Sequence, residues 1–199
     1  MTDFRTATSI GERIQAARKD RGMRTAADLA AAIPGGMVKE STIQNVEAGR
    51  KLELTVSQLL NIALALRLPP AFLLAPIGNP DGALDLPHLS QDFSTMVVAE
   101  FEGWFSGNTN GAYFITSAAE HRDRNQLQAL REFKAELRER TRLIQSLDLE
   151  KEMSSTVGGS PDGALESETV ARLRETDRRL KKLSEYLESA GLDVGSVAH

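Results

Sequence analysis

Apolar side chains in the first third of the chain recur at the three- and four-residue spacing of amphipathic helices. Ile10, Ile14 and Ala17 form the first stripe, which follows the capping box Ser9-Ile-Gly-Glu12 and stops at Gly22. Four more helices are predicted in the same way, so residues 9–75 form five short helices. The later four open at Thr25, Glu40, Val56 and Ala71, and they stop before Pro34, Gly49, Pro69 and Ala75.

The middle of the chain changes character twice. Residues 76–91 hold three prolines and two glycines, which is typical of a linker between domains. Residues 92–105 then place aromatic and aliphatic side chains on a 3.6-residue period, which predicts one helix. This helix and the turn after it form an acidic, aromatic-rich segment, 92–116. Its apolar face is either a second core or the binding surface for a protein partner, with Trp104 as the anchor.

Two long helices are predicted in the last third of the chain. The capping box Ser117-Ala-Ala-Glu120 opens a long run without proline or glycine, in which leucines lie three and four residues apart. Residues 154–164 interrupt this run as a flexible break, and a second leucine pattern follows from Val170 to Leu187. Residues 117–199 are therefore predicted to form a two-helix coiled-coil hairpin. Its leucines can pack within one chain or between two, and we expect the region to hold a homodimer together.

These patterns predict an all-α protein with three folded parts. The predicted order is a helical domain at 1–75, a linker at 76–91, an aromatic-rich acidic helical segment at 92–116 and a helical hairpin at 117–199.

Charge is distributed unevenly along the chain, whose formal net charge is −4. Residues 1–70 carry a net charge of +3, whereas residues 71–121 contain six acidic residues and no lysine or arginine. The overall acidity argues against nonspecific coating of nucleic acid. Phosphate contacts act locally, however, so a small basic face in the first third of the chain is enough for a specific site.

Composition argues against several other classes of protein. The chain has no cysteine, which excludes disulfides and cysteine-ligated metal centres, and its three histidines are scattered. We therefore predict no metal site and no cofactor. No apolar run reaches the ~18–20 residues that span a bilayer, and the first residues lack a secretory core, so we expect a cytoplasmic protein without membrane contact. There is no P-loop, nucleophile elbow, dinucleotide-binding glycine pattern or zinc-protease motif; we predict no catalytic residues and no enzyme activity.

Residues 9–75 follow a distinctive order: a helix, a short helix of small residues, a turn, a helix ending in Glu47-Ala-Gly-Arg50, and an apolar helix. This order resembles the helix-turn-helix domain of Cro and lambda-repressor-type transcriptional regulators, the XRE family. The matching residues are 10–14, Arg18, 29–30, 41–43, 46–50 and 59–66. The resemblance implies a five-helix domain that binds double-stranded DNA sequence-specifically, as a dimer, and represses or otherwise regulates transcription. An alternative is a DNA-binding antitoxin or adaptor whose C-terminal region binds a protein partner.

The resemblance also assigns the recognition helix, the one that opens at Glu40. Such a helix enters the major groove, where each base pair presents a distinct pattern of donors and acceptors. Ile43 and Val46 are expected to face inward, which leaves four polar side chains for base contacts: Ser41, Thr42, Gln44 and Asn45. Gln44 and Asn45 can pair with adenine through two hydrogen bonds. The candidates for phosphate contact are Thr25, at a helix start whose N–H groups favour an anion, and Lys39, Arg50 and Lys51.

A structural ion pair between Arg18 and Glu47 is implied by the same resemblance, and neither residue is expected to contact DNA. The sequence departs from the family pattern at two points. The connection between the two motif helices is longer than usual, so residues 34–37 are predicted to loop out. Ala26 or Ala27 stands where a phosphate-binding glutamine often lies.

Overall fold

The computed structural model describes residues 3–157 and 168–195, with only the backbone for 154–157. Over these ranges the regular structure is helical, apart from one isolated antiparallel bridge between Ala83 and Val97, and the predicted all-α class is confirmed there. Within the same ranges, no helix combines the length and the apolarity that a membrane crossing requires. The chain divides into two compact units, Met1–Phe114 and Ile115–His199.

The first unit begins with five α-helices that lie where the apolar stripes predict them. Three of the five starts are set by side-chain caps, because the hydroxyls of Ser9, Thr25 and Thr55 each accept the N–H of the third helical residue at 3.2 Å. The helices are α1 (Ile10–Asp20), α2 (Ala26–Ala32), α3 (Glu40–Glu47), α4 (Val56–Ala65) and α5 (Ala71–Leu74), with a 3-10 turn at Pro34–Gly36.

One hydrophobic core joins these five helices. Ile14 of α1, Leu29 of α2, Ile43 of α3, Ile62 of α4 and Leu73 of α5 are each at most 1 % exposed and belong to a single cluster. Full burial of such a side chain contributes about 1.5–3 kcal/mol. Every helix therefore supplies at least one side chain to the same core, which fixes the helices relative to one another.

The prediction of a linker at 76–91 is wrong. Ile77, Leu84 and Leu86 pack against a second core cluster whose buried members are Ala75, Val98 and Phe101. The segment is also bonded to the start of the chain, where the Gly78 N–H donates to the Arg5 carbonyl at 2.8 Å. Prolines and glycines here shape a packed loop of the first unit, because its apolar side chains are partly buried against this cluster.

The prediction of a single helix over 92–105 is also wrong. The structure has two helices, α6 (Gln91–Ser94) and α7 (Val98–Ser106). Between them Val97 is extended and bridges to Ala83, and its N–H donates to the Glu100 carboxylate at 3.0 Å. The first N–H groups of α7 donate to carbonyls of the 76–91 segment, Val98 to Gly82 and Ala99 to Pro80, each at 2.9 Å. Tertiary bonds thus replace the local bonds that would continue one helix.

The aromatic side chains of this region are divided between the core and the surface. Phe101 is 3 % exposed, whereas Trp104 and Phe105 are 39 % and 45 % exposed. The Phe93 and Trp104 rings meet edge to face with centroids 5.3 Å apart, and Phe105 stacks on Phe101 at 5.7 Å. One side of the stripe is therefore core, and the other side is accessible.

A fully buried arginine joins the two cores of the first unit. Arg13 of α1 has no exposed side-chain surface. Its guanidinium donates to both carboxylate oxygens of Asp85, at 2.6 and 2.9 Å, and to the carbonyls of Ala7, Leu73 and Leu74 at 2.9–3.1 Å. All five N–H donors of the side chain are used, as a buried charge requires. Asp85 thereby attaches the 76–91 segment to the helical core.

The second unit contains, in its described part, two helices that pack against each other: α8 (Ala118–Val157) and α9 (Glu168–Ser189). The helices are antiparallel, since residues late in α8 pair with residues early in α9. The pairs are Glu150–Thr169, Arg140–Asp177 and Glu136–Arg179. Phe133, Leu180 and Leu187 are buried between the helices. The first four residues of the break predicted at 154–164 are the end of α8, and the others lie outside the described residues.

Asp85→Asn should destabilise the first unit by about 2 kcal/mol. The change leaves the buried Arg13 guanidinium without its counter-charge; breaking a buried pair costs about 3–5 kcal/mol, reduced here because the Asp85 side chain is 21 % exposed. Urea unfolding followed by the fluorescence of Trp104, the single tryptophan, measures the change. Asp81→Asn, at an exposed position of the same segment, is the matched control, and equal midpoints for the two variants would contradict the assignment.

Candidate nucleic-acid interface

The polar segment 40–47 forms α3, whose two faces differ sharply. Ile43 and Val46 are 1 % and 2 % exposed and point into the core, where α3 packs against α1 and α2. The backbone of Lys39 is extended and opens the helix, and Gly49 follows its end with φ of 68°. That left-handed conformation suits glycine and stops the helix. α3 is thus a short helix whose apolar face packs on α1 and α2 and whose opposite face is polar.

The helices α1 and α3 cross in close contact at Gly11. A Cβ atom at this position would overlap the carbonyl oxygen of Val46 and would lie 3.3 Å from the Cα of Glu47. Only glycine lets the backbone of α3 come this near to α1. The absence of a side chain at Gly11 therefore sets how closely α3 packs against α1.

A buried ion pair fixes α3 near its C-terminal end. The Arg18 guanidinium donates to both carboxylate oxygens of Glu47 at 2.8 Å, and the two side chains are 5 % and 7 % exposed. A third bond runs from Arg18 to the Met23 carbonyl at 2.8 Å. The hydrogen bond to Glu47 raises the pKa of Arg18 despite the opposing effect of burial. A raised pKa keeps the charge, and so the pair, in place far above neutral pH.

The four residues predicted to contact bases differ in how far they face solvent. Ser41 and Gln44 are exposed, and Thr42 and Asn45 are half-buried. Two of them are held by neighbours: the Gln44 amide donates to the Glu40 carboxylate at 2.8 Å, and the Asn45 side-chain carbonyl accepts from Arg50 at 3.0 Å. These bonds are exposed, so a ligand can replace them at little net cost.

The basic candidates for phosphate contact lie at both ends of α3. Lys39 precedes the helix and is exposed. Arg50 and Lys51 follow it. Their backbone N–H groups donate to the backbone carbonyl of Asn45 at 2.9 and 3.0 Å. The ammonium of Lys51 lies 3.4 Å from the amide oxygen of Gln58. The arrangement places positive charge before and after the polar face.

Thr25 differs from the other candidates for phosphate contact, because the carboxylate of Asp28 already lies at the N-terminus of its helix, α2. The Thr25 N–H donates to the Asp28 carboxylate at 2.7 Å, and its hydroxyl accepts the Asp28 N–H at 3.2 Å. The hydrogen bonds from Thr25 hold the pKa of Asp28 below its ordinary value of 3.8. A phosphate at the N-terminus of α2 would have to share that end of the helix with this carboxylate.

The long connection between α2 and α3 leaves the polar face of α3 open. Ile33 and Val38 are 2 % and 1 % exposed and anchor the two ends of the connection in the core. Between them Gly35 and Gly36 adopt positive φ and Met37 is 68 % exposed. The additional residues therefore form an outward turn.

Two structural roles were not predicted from the sequence. Gly11 carries no local signal of close helix contact, since glycine inside a helix indicates only a cost in propensity. Asp85 lies in a segment whose prolines and glycines predicted a linker, 72 positions from its partner Arg13. Only the tertiary structure brings these residues to their contacts.

Comparisons with protein-family models, curated proteins and solved structures find no match to this chain. The function of the chain is therefore inferred from the geometry of α3 and its surroundings.

Gly11→Ala should destabilise the first unit by about 1–3 kcal/mol, because the added methyl group forces α3 away from α1. Helix propensity alone predicts the opposite sign, a gain of roughly 1 kcal/mol. Urea unfolding followed by circular dichroism distinguishes the two. Gly103→Ala in α7 is the comparison with a milder contact, since its added Cβ would lie 3.3 Å from the backbone nitrogen of Tyr113 and overlap no atom, so it should cost less than Gly11→Ala. A Gly11→Ala variant as stable as the native chain would refute the close contact.

Asp28→Asn should destabilise the chain at neutral pH and have no effect in strong acid. A lowered carboxyl pKa stabilises the fold above the unfolded value, near 3.8, and this contribution is lost as the pH falls through the lower folded value. Unfolding midpoints of native and variant chains at pH 7 should therefore differ, and the difference should vanish well below pH 3.8. A difference that is constant with pH would show that the carboxylate charge is not responsible.

Proposed function

We propose that this protein binds double-stranded DNA sequence-specifically through α3. The observation that carries the proposal is the two-sided character of α3: its apolar side is fixed on α1 and α2, and its polar side is outward. An α-helix fits the major groove, where its side chains reach the base edges. In this view α1–α5 form a helix-turn-helix domain, with α2 across the DNA backbone and α3 in the groove.

Base contacts are assigned to Ser41, Thr42, Gln44 and Asn45. Gln44 and Asn45 carry amides that can both donate to and accept from adenine, and each such bidentate contact is worth about 1–3 kcal/mol of discrimination. In the free protein the Gln44 amide is hydrogen-bonded to Glu40 and the Asn45 amide to Arg50. When the amides turn to the bases, these two bonds break and the Glu40 and Arg50 side chains are released. Arg50 can then contact a phosphate, so one rearrangement serves both base recognition and backbone binding.

Phosphate contacts are assigned to Lys39, Arg50 and Lys51, with Thr25 as a further candidate beside Asp28. Few such contacts exist in one copy, so binding by a monomer should be weak. Two copies on two half-sites supply the necessary affinity, and half-sites about 10 bp apart, or a multiple of this, match a two-fold dimer.

We assign dimer formation to the antiparallel helices α8 and α9, acting as a coiled-coil hairpin. A dimer bound at a promoter excludes other proteins from that DNA and so represses transcription.

Selection of bound sequences from random duplexes tests the proposal directly. The native chain should enrich one motif with two-fold symmetry, because a dimer presents two copies of α3. Enrichment of no motif would overturn sequence-specific binding. The selected duplex then serves as the ligand for the variants.

Two variants should separate base from phosphate contacts on that duplex. Gln44→Ala with Asn45→Ala should lower the preference for the selected site over random DNA by roughly 10- to 100-fold, whereas Lys39→Ala should weaken both about equally and reduce the salt dependence. Fluorescence anisotropy titrations at several salt concentrations measure both effects. Gln91→Ala, at an exposed position of α6, is the control. If the double variant keeps full site preference, α3 is not the recognition helix.

A further inference from the structure

The outward face of α4 carries a row of exposed aliphatic side chains. Val56, Leu60 and Leu64 are 74 %, 48 % and 75 % exposed. Residues four apart lie on the same side of a helix, so the three side chains form one stripe. The opposite side of α4 is buried through Ile62 and Ala63. α4 is thus apolar on its solvent side as well as on its core side.

Charge is missing from α4 altogether. Its ten residues, Val-Ser-Gln-Leu-Leu-Asn-Ile-Ala-Leu-Ala, include no acidic or basic side chain. The helix of a monomeric protein normally turns charged residues to solvent. An exposed apolar row without charges is typical of a surface that binds another protein surface.

The order of residues around the stripe is symmetric about Leu60. Val56 and Leu64 lie four positions to either side, and Glu53 and Arg67 lie seven positions to either side. If two α4 helices pack antiparallel about a two-fold axis, Leu60 meets its own copy and Val56 meets Leu64. Glu53 and Arg67 are exposed within three residues of the two ends of α4, so the same pairing brings opposite charges together at each end. Glu53 also lies 3.9 Å from His88 of its own chain. A parallel pairing would instead place like charges together.

We infer that a second copy of this chain pairs with the first through α4, antiparallel, with Leu60 nearest the two-fold axis. A two-fold interface uses the same patch on both copies, which matches an uncharged stripe with opposite charges at its ends. This inference goes beyond the dimer contact proposed for α8 and α9, and in the absence of DNA it rests on that contact to bring the two copies together.

The size of the stripe predicts how strong the pairing is. The exposed fractions of Val56, Leu60 and Leu64 add up to roughly two whole side chains in each copy. An interface that covers the stripe on both copies therefore buries on the order of 400 Å² of apolar surface. Stable protein interfaces bury about 1,200–2,000 Å². The α4 contact is therefore weak by itself and acts where another contact, or a shared DNA site, brings the two copies together.

Cysteine cross-linking of the full chain tests the geometry, since the native sequence contains no cysteine. Under mild oxidation Leu60→Cys should form a disulfide-linked dimer at least ten times faster than Ala32→Cys, which is exposed on α2. A mixture of Val56→Cys and Leu64→Cys chains should give more mixed dimer than either chain gives alone. Equal rates for Leu60→Cys and Ala32→Cys would overturn the proposal, because they would show random collision or a stripe covered by another part of the chain.

Charge reversal provides a second test that does not alter the stripe. Glu53→Arg should raise the dimer dissociation constant of the full chain by roughly 3- to 10-fold, and adding Arg67→Glu should restore it. Sedimentation equilibrium without DNA measures both values. If the double variant is no better than the single one, the antiparallel pairing is wrong. Failure here leaves the assignment of α3 as the recognition helix untouched, and failure of DNA binding leaves this pairing untouched.

Discussion

The close contact between α1 and α3 is the constraint on which the candidate interface depends. Gly11 lets the two backbones approach at Val46, and the adjacent residue, Glu47, is held by Arg18 at 2.8 Å. A short helix has little stability of its own, so its position is set by what holds it. Both contacts lie at the C-terminal end of α3, and Ile43, 1 % exposed, attaches the middle of the helix to the core. The same rotation that buries Ile43 and Val46 turns Ser41 and Gln44 outward.

The two buried arginines of α1 serve different parts of the first unit. Arg18 holds α3, whereas Arg13 connects the helical core to the segment that carries Asp85. Both are satisfied by bidentate carboxylates and backbone carbonyls, which offsets the cost of burying charge. One helix therefore joins the candidate DNA-binding surface to the region of α6 and α7. Two of the positive charges that make residues 1–70 basic are consequently internal and contribute little to phosphate binding.

The polar face of α3 is organised before any ligand binds. Glu40 holds Gln44 and Arg50 holds Asn45 through exposed hydrogen bonds. Such bonds limit the side-chain rotamers that binding must otherwise order, and they are exchanged at little net cost. The uncharged stripe on α4 gives a second copy of the unit a surface to meet. The recognition proposed for α3 and the pairing proposed for α4 use different faces of the same small core.

The sequence by itself determined the local elements of this protein. The helices α1–α5 lie where the apolar stripes and caps predict them, because each stripe and each cap is decided within one or two helical turns. The polar flank of α3 was predicted from the same local spacing, whereas its candidate DNA contacts were assigned through the resemblance to a known family. Only the tertiary structure decided the rest. Residues 76–91 have the composition of a linker, yet Arg13 and α7 bind them. Contacts such as Arg13–Asp85 and Gly11–Val46 join residues far apart in the chain, and no local pattern encodes such a pairing.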